Sequence, residues 1–269
     1  MVILALDTTT KAGSCALWRD GALVEQRPGD AARTHAERLP GDLADLLAAH
    51  GLTVKDVDLY AVASGPGSFT GLRVGIATIQ GLALVHGRKV VAVSALEALA
   101  LTGAGLRGAS LAGGAAAAGG TVIAGGWMEA YRGEVFGALY RVSAGALEEL
   151  APPSVAAPAE LAASWARIIQ GDLDGASSNS GNKDGSGGEA VIIGDAVPST
   201  RDALSAAMPP FVQLLDTVPL AATIAQIAHA HPERATLPHA IVPLYVRRPD
   251  AELARDRRDR GDARPVVPA

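Results

Sequence analysis

Cys15 is the only cysteine in 269 residues, so the chain can form no intramolecular disulfide and no thiolate metal cluster. Aromatic side chains make up 4% of the chain while glycine is abundant at 31 residues, so a core must be assembled from Leu, Val, Ile and Ala, and helices can approach over small side chains. There is no surplus of basic charge. The formal net charge of −5 argues against a broad cationic face that grips nucleic acid unaided, so any phosphate contact is expected to come largely from a partner. No run of about 18 apolar residues occurs, which excludes a membrane-spanning helix, and the apolar stretch at residues 1–7 is short and lacks the basic segment of a signal peptide. A cytoplasmic protein is the expectation. None of the six histidines forms a His-x-x-x-His pair, and His229 and His231, two apart in an expected helix, point in different directions, so no metal site is expected.

What is present is a globular composition, 49% apolar and 19% charged, long enough for one large domain or two small ones. Residues 3–6 are a short apolar run ending at Asp7, read as a buried strand. Residues 14–19 and 22–27 flank Asp20-Gly21, a hairpin signal. A helix is expected over 34–50, with Leu39, Leu43, Leu46 and Leu47 on one stripe, and with either a kink at Pro40 or a start there; Gly51 is placed to end it. A strand over 57–64, a second helix over 71–86, a strand over 89–93 and a helix from 95 complete a β-β-β-α-β-α-β-α order. That order is a ribonuclease-H-like half, the unit duplicated in actin-like and sugar-kinase α/β folds. The expected organisation is an N-terminal lobe over 1–102, an Ala/Gly-rich connection over 103–120, and a smaller, degenerate second lobe over 121–246. Within that second lobe, strands are expected at 121–124, 134–141 and 190–193, a helix at 219–230, and an unstructured Gly/Ser/Asn/Asp-rich surface loop at 171–188. A charged tail from 247 reads as solvated, with an RNA-touching arm as the sharper alternative.

Two segments carry the candidate chemistry. Gly65-Pro66-Gly67-Ser68-Phe69-Thr70-Gly71 lies between an expected strand and helix, where backbone N–H groups can converge on an anion. Gly65 and Gly67 permit unusual backbone angles, and Ser68 or Thr70 could cap the helix. The segment fits neither a P-loop, nor the dinucleotide fingerprint, nor a nucleophile elbow, so a plain tight turn stands beside an anion or nucleotide-phosphate site. Asp7-Thr8-Thr9 follows the first strand where actin-like ATPases place an Asp followed two residues later by Gly; Thr9 occupies that place. Asp7 could hold a hydrated magnesium, but no matching Asp-rich phosphate loop opens the second half, where Gly125-Gly126-Trp127-Met128-Glu129 stands. An ATPase or small-molecule kinase using Asp7 and the 65–71 turn is therefore the runner-up reading. In the second helix Gly71, Gly75 and Thr78 share a stripe, with Gly81 nearby. Each glycine costs a helix about 1 kcal/mol relative to alanine, so the stripe implies a close contact, with the chain's own first helix or with a partner. Cys15 reads as a small buried hydrophobe. No catalytic set of the Ser/His/Asp, Cys/His or zinc-ligand kind emerges, which leaves a peptidase reading without support.

The strings Ile3-Leu4-Ala5-Leu6-Asp7-Thr8-Thr9, Thr34-His35-Ala36-Glu37-Arg38-Leu39-Pro40 and Gly65-Pro66-Gly67-Ser68-Phe69-Thr70-Gly71-Leu72-Arg73-Val74-Gly75 closely resemble the TsaB/YeaZ family. Gly81-Leu82-Ala83, Val93-Ser94-Ala95-Leu96 and the closing Pro243-Leu244-Tyr245-Val246-Arg247 continue the likeness, which is firm over residues 2–100 and patchy beyond. The resemblance implies an actin-like two-lobed fold with degraded nucleotide-binding features, and a non-catalytic subunit that pairs with a metal-holding TsaD enzyme through its first two helices. His35, Leu39, Leu43, Leu46, Gly71, Arg73, Gly75 and Thr78 are the partner-facing residues so implied. Asp7, Thr8, Thr9, Gly65, Gly67, Ser68 and Thr70 are the candidate nucleotide or anion contacts. The family's TsaD transfers threonylcarbamoyl to the adenosine 3′ of the tRNA anticodon, with a small ATPase, TsaE, joining the complex. It implies tRNA contact only through that complex, no cofactor of the subunit's own, and ATP or ADP with magnesium at most near the partner interface. Small-residue helix faces also favour a homodimer of the chain alone. Two departures stand out: Glu129-Ala130-Tyr131 replaces the family's Asp-Ala-Arg, and 171–188 looks like an insertion.

Overall fold

The computed structural model describes residues 1–107, 120–143, 146–179 and 189–247, with the side chains of 173–179 left aside. Two five-stranded sheets share one plan. In the first, β1 (Val2–Asp7), β2 (Ser14–Arg19), β3 (Ala22–Pro28), β4 (Leu59–Gly65) and β5 (Lys89–Ser94) lie in the order β3-β2-β1-β4-β5. In the second, β6 (Val122–Glu129), β7 (Val135–Ser143), β8 (Ala146–Ala156), β9 (Glu189–Ile193) and β10 (Val212–Leu215) lie in the order β10-β9-β6-β7-β8. Each begins with an antiparallel meander of three strands and adds two parallel strands on the far side of the first. The duplication expected from the element order is present.

Local chemistry accounts for the elements of the first half. At the β2–β3 turn Asp20 and Gly21 both have positive φ (53° and 86°), the paired left-handed conformation that matches the twist of a two-residue hairpin. Helix α1 (His35–Ala48) starts behind Thr34, whose N–H donates to the Glu37 carboxylate at 2.8 Å. It runs through Pro40 rather than starting there. The acceptor that Pro40 leaves unpaired is the carbonyl of Ala36, and both residues are exposed, so water can satisfy it. Gly51 at φ 67° turns the chain off the helix. Helix α2 (Phe69–Val85) is capped by the Ser68 hydroxyl, which accepts from Gly71 N–H at 3.3 Å.

The layers stack as helices, sheet, helices, sheet, helices. Helices α1 and α2 cover the outer face of the first sheet, where Leu39, Leu43, Leu46 and Leu47 pack with Leu4, Leu6 and Val62. Helices α4 (Pro158–Asn179) and α5 (Val197–Ala207) cover the outer face of the second, around Trp127 and Trp165. Helices α3 (Ala95–Leu106) and α6 (Ala221–Ala230) lie between the sheets in one continuous core. The two inner helices pack across the sequence division. Helix α3, assigned to the first lobe, packs chiefly on β6, β7 and β9, whereas α6, assigned to the second, packs on β1, β2 and β4.

Several other expectations differ. The 171–188 loop begins as helix, since α4 continues through Asn179; residues 180–188 lie outside the described residues, as do 108–119 of the connection and the tail beyond 247. Strand β6 extends past Ala124 through Gly125 and Gly126, glycines that resemble a loop in sequence but let the Trp165 ring and the Leu96 backbone press against the strand. Strands β8 and β10 and helices α4 and α5 were not anticipated.

Truncating Leu43, 2% exposed at the centre of the outer core, is expected to cost about 2–5 kcal/mol in Leu43→Ala. Urea denaturation measures it; a loss below about 0.5 kcal/mol would place this leucine at a surface instead.

Candidate functional site

The loop after β1 and the turn after β4 are packed into each other. Asp7 is 2% exposed, and its Oδ1 accepts from the Thr9 N–H at 2.9 Å and the Thr9 hydroxyl at 2.6 Å. Thr9 carbonyl accepts from Ser68 N–H at 2.8 Å, and a Cβ on Gly67 would meet Thr9 backbone and side chain within 2.8 Å. A Cβ on Gly71 would overlap the Thr8 carbonyl, and one on Gly75 the Thr8 hydroxyl, which is buried and has no hydrogen-bond partner. Gly65, at φ 116°, lies under the Leu244 carbonyl, and Leu244 N–H donates to Ser64 at 2.7 Å.

The Ser68 amide is used on the Thr9 carbonyl and ties the two loops together, while the Asp7 carboxylate is used within its own loop on Thr9. Burial pushes the Asp7 carboxyl above the ordinary range, partly offset by the Thr9 hydrogen bonds. Of the candidate anion contacts, Thr70 alone is exposed. Asp195, which the sequence reading missed, accepts from Glu129 N–H at 3.0 Å. Burial first, and then the charges of Glu129 and Asp7, push its carboxyl up as well. Among the described residues no group of three or more His, Cys, Asp or Glu is placed to hold a metal ion.

The candidate partner residues divide by face. Leu39, Leu43 and Leu46 are 0–2% exposed and point into the chain's own sheet, so they cannot meet a partner. Gly71 and Gly75 face the Thr8 loop, and the stripe they form serves an internal contact. Thr78 is half-buried and returns its hydroxyl to Val74 carbonyl at 2.8 Å. His35 is half-buried, with Nε2 on Thr10 carbonyl at 3.0 Å and Nδ1 beside Arg38 at 2.9 Å; desolvation lowers its pKa. Arg38, also unanticipated, is 3% exposed and joins Asp42 and the Ala12 carbonyl, fastening α1 to the same loop. Only Arg73 of the eight is exposed, with its guanidinium 3.8 Å from the centre of the Phe69 ring.

What the two helices show to solvent is a different set. On α1 the exposed positions include Ala36, Pro40, Gly41, Ala44 and Ala48; on α2 they include Ala77, Gly81, Leu84 and Val85. Leu84 and Val85 are 70% and 77% exposed, and a Cβ on Gly41 or Gly81 would meet nothing within 4 Å. Farther along, where the first lobe, the β6–β7 turn and the closing segment meet, Phe69, Tyr131, Tyr245 and Arg247 line a cleft of about 380 Å³.

Two duplicated sheets enclosing a shared pair of helices define an actin-like, two-lobed α/β protein. A family model described as TsaD, tRNA N6-adenosine threonylcarbamoyltransferase, matches residues 24–254, so the chain belongs to that family, among its TsaB/YeaZ members. The chain is 42% identical over 103 residues to the tRNA threonylcarbamoyladenosine biosynthesis protein TsaB of Escherichia coli, covering 37% of this chain and 43% of that protein. It is 30% identical over 152 residues to the Bacillus subtilis TsaB, covering 56% and 60%. The match thus spans less than two thirds of the length of these curated relatives. The crystal structure of YeaZ from Pseudomonas aeruginosa superimposes with a TM-score of 0.65 at 26% identity, over 91% of this chain and 99% of that one.

The state of Asp7 is open to test by pH. Its raised folded-state pKa means that ionisation is disfavoured in the fold, so stability is lost as pH rises from the unfolded carboxylate value, about 4, through the folded value. Asp7→Asn, whose amide oxygen can still accept from Thr9, removes that loss. Thermal melts should show the variant more stable than the parent near pH 7, with the difference vanishing below about pH 4. A variant less stable at pH 7 would show that the carboxylate is needed in its charged form.

Proposed function

We propose that this chain takes part in threonylcarbamoyladenosine formation on tRNA as a non-catalytic partner of a TsaD-type enzyme. On this reading it docks that enzyme on the outer face of α1 and α2. The observation that carries the proposal is the exposed strip of Ala44, Ala77, Gly81, Leu84 and Val85, small in the middle and apolar at one end, on the face of the two helices opposite their leucine-packed side. A strip without long side chains lets another helix come close at little cost in side-chain entropy. The similarity to proteins named for tRNA threonylcarbamoyladenosine biosynthesis supports the pathway. The closed Asp7 loop supports a subunit that leaves the chemistry, and any ATP or ADP with magnesium, to a partner surface. A TsaE-type ATPase would join the same assembly, with tRNA held mainly by the complex. Without its partner, the strip is suited to pair with a second copy of itself. The kinase-like alternative, using Asp7 and the 65–71 turn, is less favoured, because Asp7 is buried and its carboxylate is taken up by Thr9. No described helix is long and apolar enough to cross a membrane.

The test is mass-spectrometric detection of threonylcarbamoyladenosine in tRNA incubated with purified TsaD, TsaE and threonylcarbamoyl-adenylate. Modification is expected to depend on adding this chain. Gly81→Trp, which places a large ring on the strip where a side chain meets no neighbour, should abolish pairing and modification while leaving the melting temperature within a few degrees. Pairing that survives this substitution would remove the α1/α2 strip as the docking face.

A further inference from the structure

The cleft at the end of the molecule has features that a protein-docking strip does not need. The chain has ten aromatic side chains, and four of them are exposed: Phe69, Tyr131, Phe211 and Tyr245. Three of the four line this one cleft, each from a different part of the fold. Phe69 stands at the start of α2, Tyr131 on the β6–β7 turn and Tyr245 on the closing segment. The Phe69 and Tyr245 rings lie 5.8 Å apart at 34°, and Arg73 lies over Phe69 while its Nε donates to the Tyr245 hydroxyl at 3.3 Å. Tyr131 and Arg132 are both held at positive φ (59° and 60°), a conformation that costs energy for residues with side chains. The Tyr131 ring stays 63% exposed all the same.

Tyr131 also lines a second recess of about 380 Å³, in which Lys11, Arg33, Thr34, Ser68 and Thr70 gather. One recess is aromatic and the other is basic and rich in hydroxyls. No Asp or Glu is among the lining residues of either, on a chain whose net charge is −5, although Glu37 accepts from the Thr34 hydroxyl at 2.7 Å beside the second and Glu134 pairs with Arg247 beside the first. Flat rings with a planar guanidinium suit a base, and lysine and arginine flanked by hydroxyls suit a phosphate. Each volume falls in the range of ligand sites, roughly 300–1,000 Å³.

We propose that these two neighbouring recesses, which share Tyr131, bind single-stranded RNA directly. A base would stack among Phe69, Tyr131 and Tyr245, with an adjoining backbone phosphate on Lys11 and Arg33. The choice of RNA rests on the function proposed above. A free nucleoside triphosphate is the poorer fit, because the amide and carboxylate that would hold its phosphates and magnesium are spent inside the Asp7 and 65–71 loops. The site lies at the N-terminal ends of α1 and α2, whereas the docking strip runs along their middle and C-terminal turns, so both can be occupied together. It gives the chain an RNA contact of its own, which its overall composition argues against.

Fluorescence anisotropy of the full chain alone with a fluorescein-labelled heptaribonucleotide, over a range of salt concentrations, tests this. Binding is expected, with Phe69→Ala and Tyr245→Ala each weakening it by roughly tenfold and Phe69→Trp restoring it. The Lys11→Ala/Arg33→Ala double variant should reduce the slope of log K against log salt by about 1.4, two single-strand phosphate contacts' worth. Circular dichroism melts check that each variant is folded. The proposal is overturned by no binding, by binding that the aromatic substitutions leave unchanged, or by ATP competing as strongly as the oligonucleotide. It is equally overturned if Phe69→Ala abolishes pairing with TsaD but not RNA binding, which would mark the cleft as a protein surface. Failure here with modification still dependent on the chain would leave the partner-subunit reading intact; loss of both would remove that reading as well.

Discussion

The short loop that follows β1 carries Thr8 and Thr9 against Gly67, Gly71 and Gly75, and its contacts with α2 are so close that none of those three positions has room for a Cβ. Arg38 fastens α1 to the same loop from the other side. Where α1 and α2 sit, which of their faces point outward, and how tightly the 65–71 turn is drawn in all follow from this seating. So does the chemistry that is given up. A loop that in an actin-like ATPase would wrap a phosphate is here filled by the protein's own atoms, with Asp7 serving as an internal cap. The glycines of α2 lower helix propensity, but the approach they permit buries Thr8 and Thr9 completely or nearly so.

Elements governed by local rules were legible in the sequence. The Asp20-Gly21 hairpin, the leucine stripe of α1, the Ser68 cap and the short β-branched strands all rest on turn chemistry or on a single clear period. The second half was harder, for physical reasons. Gly125, Gly126 and Gly137 sit in strands because Trp165 and α3 need the space, and nothing in the local sequence distinguishes such glycines from those of a loop. Strand β8 is a half-exposed edge carrying Pro152-Pro153 and two adjacent glutamates, Glu148 and Glu149, which obscures its alternation.

The site was legible in its residues and not in its geometry. The strings that mark the family also mark the best-packed part of the structure, where Leu39, Leu43, Leu46, Gly71 and Gly75 turn inward and Arg73 stays exposed. Leu39, Leu43, Gly71 and Gly75 lie on helical stripes that had two available neighbours, a partner or the chain itself, and periodicity does not choose between them. The cleft eluded the sequence because Phe69, Tyr131 and Tyr245 are far apart in the chain and meet only where two lobes and the closing segment converge.

The exchange of helices between the lobes bears on how the chain is made. The inner face of the first sheet, including Ile3, Ala5 and Ala16, is covered in part by α6, which lies some two hundred residues later, and Ala221 N–H closes on the Ser14 hydroxyl at 3.1 Å. During synthesis at roughly 5–20 residues per second, this apolar face must wait for many seconds after its own strands have emerged. The N-terminal half is therefore not a self-sufficient folding unit. It is an open sandwich that only the end of the chain completes, and a ribosome stalled before residue 221 would hold out a sticky sheet rather than a finished lobe.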